Sequence, residues 1–232
     1  MDTINSKQNN TLLIGGIFIA ALFYPVVWYL VFLGEGYSFN VILISRLFIW
    51  LEVIILFFYA QRIEKSSFLL WQEKSYGFWF YPAAFGALYL LRIGVGIVAI
   101  IPKLFGWQDN QQITVQFLTI LSKSMPLMVF SAITAGVTEE LIFRGYLVPR
   151  LELLFKNKYM PVIVSALLFS FNHYRYLSLY EIIFTFLFGV VFAIHYQWYR
   201  NIKVLIVTHI LIDFISFLLF SLLQSLHLHY KF

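Results

Sequence analysis

The sequence predicts an all-α membrane protein, a polytopic bundle of about seven transmembrane helices, and two observations lead there. Of its 232 residues, 61% are apolar and 12% charged, against about 45–50% and about 25% in soluble domains. Several apolar runs also approach the roughly 20 residues that a helix needs to cross hydrocarbon. The 26 Phe and 15 Tyr suit lipid contact and the headgroup interface. A formal net charge of +5 is scattered over short loops, which serves membrane orientation and implies a lipid bilayer rather than a nucleic acid as partner. With no cysteine, a disulfide, a thiolate nucleophile and a Cys-ligated metal are excluded. Any catalysis falls to Glu, Asp, His, Ser or Tyr.

Met1 to Asn10 is polar, and Thr11 to Leu33 follows as the first span. It is too long for a signal-peptide core and lacks a small-residue cleavage site. Gly34-Glu35-Gly36 makes a turn, and Phe39 to Ala60 is the second span, with Arg46 and Glu52 inside it. Six residues apart, these two do not face each other on a helix. Arg46 is expected to snorkel to the interface and Glu52 to find a partner elsewhere in the bundle. Gln61 to Tyr76, with Arg62, Lys65 and Lys74, is the most charged loop and reads as cytoplasmic. The third span runs from about Gly77 to Ile101 and closes at Pro102. Ile113 to Ser124 is short and meets Pro126, so it is either an interfacial helix or the first half of a broken span. Leu127 to Val148 is the fourth span and Pro161 to His173 a short fifth, extendable through Tyr176. Tyr180 to Trp198 is the sixth and Val204 to Leu223 the seventh.

An N-terminus in the cytoplasm puts Lys7, Arg62, Lys65, Lys74, Arg150, Lys156, Lys158, Arg200 and Lys203 inside and only Lys103, Arg175 and Lys231 outside. The expectation is a multi-pass protein of the cell membrane with its C-terminus outside. A crossing by Ile113 to Ser124 is the eight-span alternative.

The chemistry concentrates in Thr134 to Arg150. Charged side chains in hydrocarbon are costly and are usually kept for a function. On a helix advancing about 100° per residue, Glu140 and Arg144 share a face one turn apart, whereas Glu139 points roughly 140° away from Arg144. Glu140 thus reads as structural, and Glu139 as free to react. Further on, His173 lies one turn after Phe169, and His209 one turn before Asp213. Two Glu, one Arg, two His and one Asp in three apolar helices would each carry a burial penalty if unpaired. Their expected depths let them converge in one pocket. His195, His227 and His229 are read as surface residues.

Glu139-Glu140-x-x-x-Arg144, Phe169-x-x-x-His173 and His209-x-x-x-Asp213 follow one another on separate apolar helices. In that order they resemble the CPBP family of intramembrane proteases, the CAAX protease and bacteriocin-processing group, also called Abi, to which the type II CAAX prenyl endopeptidases belong. The resemblance covers roughly Val129 to Ser216. It divides the chain into N-terminal spans without a recognised motif, residues 1–125, and a catalytic helix bundle, residues 126–232. It implies that Glu139 acts as general base on a water, assisted by His173, and that Glu140 and Arg144 brace the helix and position Glu139. It also implies that His209 and Asp213 stand where the family stabilises the developing oxyanion. A water needs a carboxylate to withdraw its proton, and an oxyanion needs donors aimed at it. An ionised aspartate cannot donate, so either Asp213 is protonated or it orients His209 by accepting from the other ring nitrogen; the second reading is preferred.

Zinc is the second choice to metal-free catalysis, since HExxH is absent and the histidines lie on different helices. The expected function is hydrolysis of a peptide bond in a peptide precursor or membrane-associated protein. Peptide pheromone precursors, bacteriocin leaders and membrane-anchored proteins are the substrate classes. A non-enzymatic immunity or regulatory membrane protein on the same scaffold is the alternative. A small transporter comes third, because no repeat symmetry or pair of broken helices is visible.

Overall fold

Four helices begin where the sequence places a short polar side chain before an apolar run. The Oγ atoms of Ser38, Ser124 and Ser178 and the side chain of Asn201 each accept from a backbone N–H three residues on, satisfying a donor that a helix start leaves free. Pro126 stands in the first turn behind Ser124, where it has no hydrogen bond to break. It therefore starts a helix rather than interrupting one.

The computed structural model describes residues 10–226, so Lys7, His227, His229 and Lys231 lie outside the described residues. Among the described residues there are eight helices and no strand: α1 (Asn10–Phe32), α2 (Phe39–Glu64), α3 (Phe80–Leu104), α4 (Gln112–Ser122), α5 (Met125–Phe155), α6 (Tyr159–Phe171), α7 (Leu179–Tyr199) and α8 (Ile202–Ser225). All but α4 and α6 are long and apolar enough to cross a membrane. The protein is a multi-pass helical membrane bundle.

Contacts between loops sort the helix ends onto two faces. On one face, Tyr59 Oη donates to Leu12 O at 2.9 Å, Lys74 N to Arg200 O at 2.8 Å and Gln197 Nε2 to Lys158 O at 2.8 Å. On the other, Gln116 Nε2 donates to Tyr37 O at 3.4 Å, Ser178 Oγ to Asp109 Oδ2 at 2.7 Å and Gln224 Nε2 to Thr119 Oγ1 at 2.9 Å. Helix α4 touches only the second face and lies along it. The eighth crossing is not made, and seven elements run from face to face. Of these, α6 is the short one, with 13 residues, or about 20 Å.

That helix does not extend through Tyr176. It stops at Phe171, because Asn172 Nδ2 donates to Leu168 O and His173 Nδ1 donates to Phe169 O, and these bonds take the last helical carbonyls. A single 3₁₀ turn, Tyr174–Tyr176, and a left-handed Leu177 (φ 52°) then turn the chain toward α7.

Helix α5 is the centre of the bundle. In its most apolar stretch 67% is buried, against 22–39% in the other five long helices. Gly136 brings α8 against it: a Cβ there would stand 2.5 Å from Ile210 Cγ1 and 2.7 Å from Ile210 N. Gly136→Ala is expected to destabilise the protein by about 1–3 kcal/mol through overpacking against backbone, read as a lower melting temperature in detergent. An unchanged melting temperature would mean that α8 has room to retreat.

Candidate active site

Within α5, Ala135–Leu147 winds as a π-helix, with i→i+5 hydrogen bonds in place of i→i+4. Each residue therefore turns through less than it would in an α-helix. Glu139 and Glu140, which α-helical geometry would splay apart, instead both reach His209 on α8. Glu140 Oε1 accepts from His209 Nδ1 at 2.7 Å, and Glu139 Oε2 lies 3.9 Å from His209 Nε2. π-Helical turns are rare and often mark functional sites.

Glu140 also holds Arg144, whose Nη1 donates to the same Oε1 at 3.0 Å. Both side chains are fully buried. The guanidinium lies against the rings of Phe169, 4.5 Å from its centroid, and Phe192, 5.5 Å away. Those aromatic faces offer it a cation–π environment where its Nε and Nη2 find no hydrogen-bond partner. Glu140 thus connects α5 internally and to α8 through one oxygen.

His209 donates through Nδ1 to Glu140, which fixes its orientation and aims Nε2 elsewhere. Nε2 faces Asp213 Oδ2 at 3.8 Å and Glu139 Oε2 at 3.9 Å. Both separations exceed a hydrogen bond. The preferred sequence reading, that Asp213 orients His209, meets a different arrangement here: Glu140 does so, because the π-turn carries its carboxylate round to α8. The rings of Phe188 and Phe192 pack on the His209 imidazole.

Glu139, His173, His209 and Asp213 all line one cavity of about 310 Å³. His173 sits beyond the end of α6, its ring 4.8 Å from that of Phe169 and its Nδ1 bound to Phe169 O. Since a carbonyl only accepts, Nδ1 carries hydrogen and Nε2 is the nitrogen free to act. All four residues singled out from the motifs border this one space. Among the described residues no group of three His, Asp or Glu side chains is close enough to share a metal ion.

Four other expectations change. Arg46 does not snorkel to an interface: it lines the cavity, 5.7 Å from the Phe117 ring, with its Nε buried and without a hydrogen-bond partner. Glu52 also lines the cavity, 2% exposed. The signal for it was present in α2, where Ser45, Ile49, Glu52 and Leu56 form the buried stripe at helical spacing. Arg150 is no loop charge but is fully buried against Glu64. His195 is buried too, packed on Tyr199 at 4.6 Å between ring centroids.

Residues 121–215 match the family described as Type II CAAX prenyl endopeptidase Rce1-like. This is the family that the three motifs resemble. The matched stretch begins near the end of α4, runs through α5, α6 and α7, and ends in α8 just past Asp213. It contains Glu139, His173, His209 and Asp213, together with Glu140 and Arg144. The endopeptidases it describes are proteases, hydrolases acting in a membrane setting. No curated protein and no solved structure matches the chain.

Proposed function

We propose that the protein is an intramembrane endopeptidase in which Glu139 activates water. What supports this most is the common cavity, bordered by a carboxylate from α5, an imidazole from the end of α6, and an imidazole and a second carboxylate from α8. Glu139 is 8% exposed, and among the described residues its nearest basic group is the His209 ring at 3.9 Å. A water between Glu139 and His173 would give its proton to the carboxylate while its oxygen attacks the scissile carbonyl. His173 Nε2 holds that water in line. His209, fixed by Glu140, turns Nε2 toward the carbonyl oxygen, and in its doubly protonated form donates to the oxyanion. Glu139 and Asp213 flank that nitrogen and balance its charge. No metal is required for these steps, so cleavage is expected to survive exhaustive chelation.

The substrate is a peptide precursor or a membrane-associated protein, and prenylated CAAX proteins are one class within that range. The face that carries Arg62, Lys65, Lys74, Lys156, Lys158 and Arg200 is the cytoplasmic one, by the excess of Lys and Arg. The test compares membrane and secreted peptides by mass spectrometry in cells with the intact protein and with Glu139→Ala. Products that depend on Glu139 are expected. If well-expressed Glu139→Ala and His173→Ala leave both the peptide profile and the cellular phenotype unchanged, the chain works without proteolysis.

A further inference from the structure

Glu52 is the one acidic side chain of α2 that faces the cavity. It is 2% exposed, yet among the described residues it makes no hydrogen bond and no ion pair. A buried carboxylate without a cation is strongly unfavourable as an anion. The residue is also close to the chemistry in depth. Helices α2 and α5 run in the same direction, joined near one end by the Trp50 Nε1 to Thr134 Oγ1 bond at 3.0 Å and near the other by the Glu64–Arg150 pair. Glu52 lies two residues beyond Trp50, and Glu139 five beyond Thr134. At about 1.5 Å per residue the two carboxyls stand within about 5 Å of the same depth, and both border the same cavity.

We propose that Glu52 is the proton donor of the site: it enters the reaction as a carboxylic acid and gives its proton to the leaving amine. This rests on the endopeptidase reading above. In the first step Glu139 removes one proton from water as the C–O bond forms, giving a tetrahedral oxyanion and a protonated Glu139. In the second the C–N bond breaks, the electron pair goes to nitrogen, and nitrogen takes the proton of Glu52. The proton held by Glu139 then passes across the cavity to the Glu52 carboxylate. Both groups return to their starting states, and the sum is one water consumed per bond cleaved. Dividing the two duties between two carboxyls lets one be a base while the other is an acid.

The test uses the purified full chain in detergent. At neutral pH its infrared spectrum is expected to contain a protonated-carboxyl band that disappears in Glu52→Gln, a variant of nearly the same size. Since the two carboxyls share a cavity, the band is also expected to move in Glu139→Gln. Turnover is read with two quenched fluorogenic forms of one prenylated CAAX peptide, one with the scissile amide and one with an ester in its place. An alkoxide leaves more readily than an amide nitrogen. Glu52→Gln is therefore expected to slow the amide by about 10²-fold or more and the ester by less than about threefold. An equal loss on both probes would make Glu52 a packing residue and overturn the proposal, as would a band that survives Glu52→Gln. If the intact protein cleaves neither probe, the failure belongs to the protease reading for this substrate; a spectrum without the acid band would still overturn the role of Glu52.

Discussion

Glu139→Gln is expected to lower turnover by about 10²- to 10⁴-fold while the bundle stays folded, whereas Glu140→Ala is expected to destabilise the bundle by about 3–5 kcal/mol. The two residues are neighbours in sequence and differ in what they touch. Among the described residues Glu139 has no hydrogen-bonded partner, and it faces the cavity, so a neutral amide of the same shape removes the base and little else. Glu140 neutralises Arg144 and holds His209 Nδ1, and its loss leaves a buried guanidinium uncompensated. Melting temperature and product formation, measured on the same preparations, separate the two effects. The assignment fails if Glu139→Gln retains turnover, or if Glu140→Ala melts like the intact protein.

Arg150→Met is expected to have a comparable effect on stability, about 3–5 kcal/mol, though it lies away from the chemistry. Arg150 Nη2 is 2.5 Å from Glu64 Oε2, and its Nε donates to the same oxygen at 2.9 Å. Its Nη1 and Nη2 also donate to the carbonyls of Phe68 and Ser67, and its guanidinium stacks 3.5 Å from the Tyr146 ring. Tyr146 Oη completes the set by donating to Glu64 Oε1 at 2.8 Å. Removing the cation leaves the Glu64 carboxylate buried with only the hydroxyls of Tyr146 and Ser66 donating to it. Replacing both, as Glu64→Leu with Arg150→Met, is expected to be milder than either change alone, because no orphan charge remains. Unfolding of the single and double variants in detergent reads the coupling. Additive losses would mean that the two charges do not depend on each other.

The helices were legible because the apolar runs and the polar residues before them carry local information. Ser38, Ser124, Ser178 and Asn201 mark four starts, and the expected spans differ from the observed ones by a few residues except at α5, which continues past the expected Val148 to Phe155. The polar lining of the cavity was legible as a set of residues for the same reason that it is costly: Glu139, His173, His209 and Asp213 are polar in apolar surroundings. What the sequence concealed was geometry. The α-helical projection turned Glu139 away from Arg144 and its partner Glu140, whereas in the π-helical stretch both glutamates face His209, Glu140 through a hydrogen bond and Glu139 at 3.9 Å. Pairings across the chain were hidden as well. Nothing local to Arg150 tells that its partner is Glu64, and nothing local to Glu52 tells that it will have none. His195 looked like a helix-end surface residue and is covered because the rings of Phe80 and Tyr199 close over it.

The knot of side chains around Glu64 and Arg150 also decides the direction from which the cavity can be reached. Between Glu139 and that knot, Ile142, Phe143, Arg144 and Tyr146 are all buried, so α5 offers no aqueous route toward the lysine-rich loops. Tyr37, Thr114 and Arg175, which border the cavity's far end, belong to the opposite face. A polar reagent added to sealed vesicles would therefore reach Glu139 in only one of the two vesicle orientations. Access to Glu139 would be sided, with water exchanging across a single leaflet.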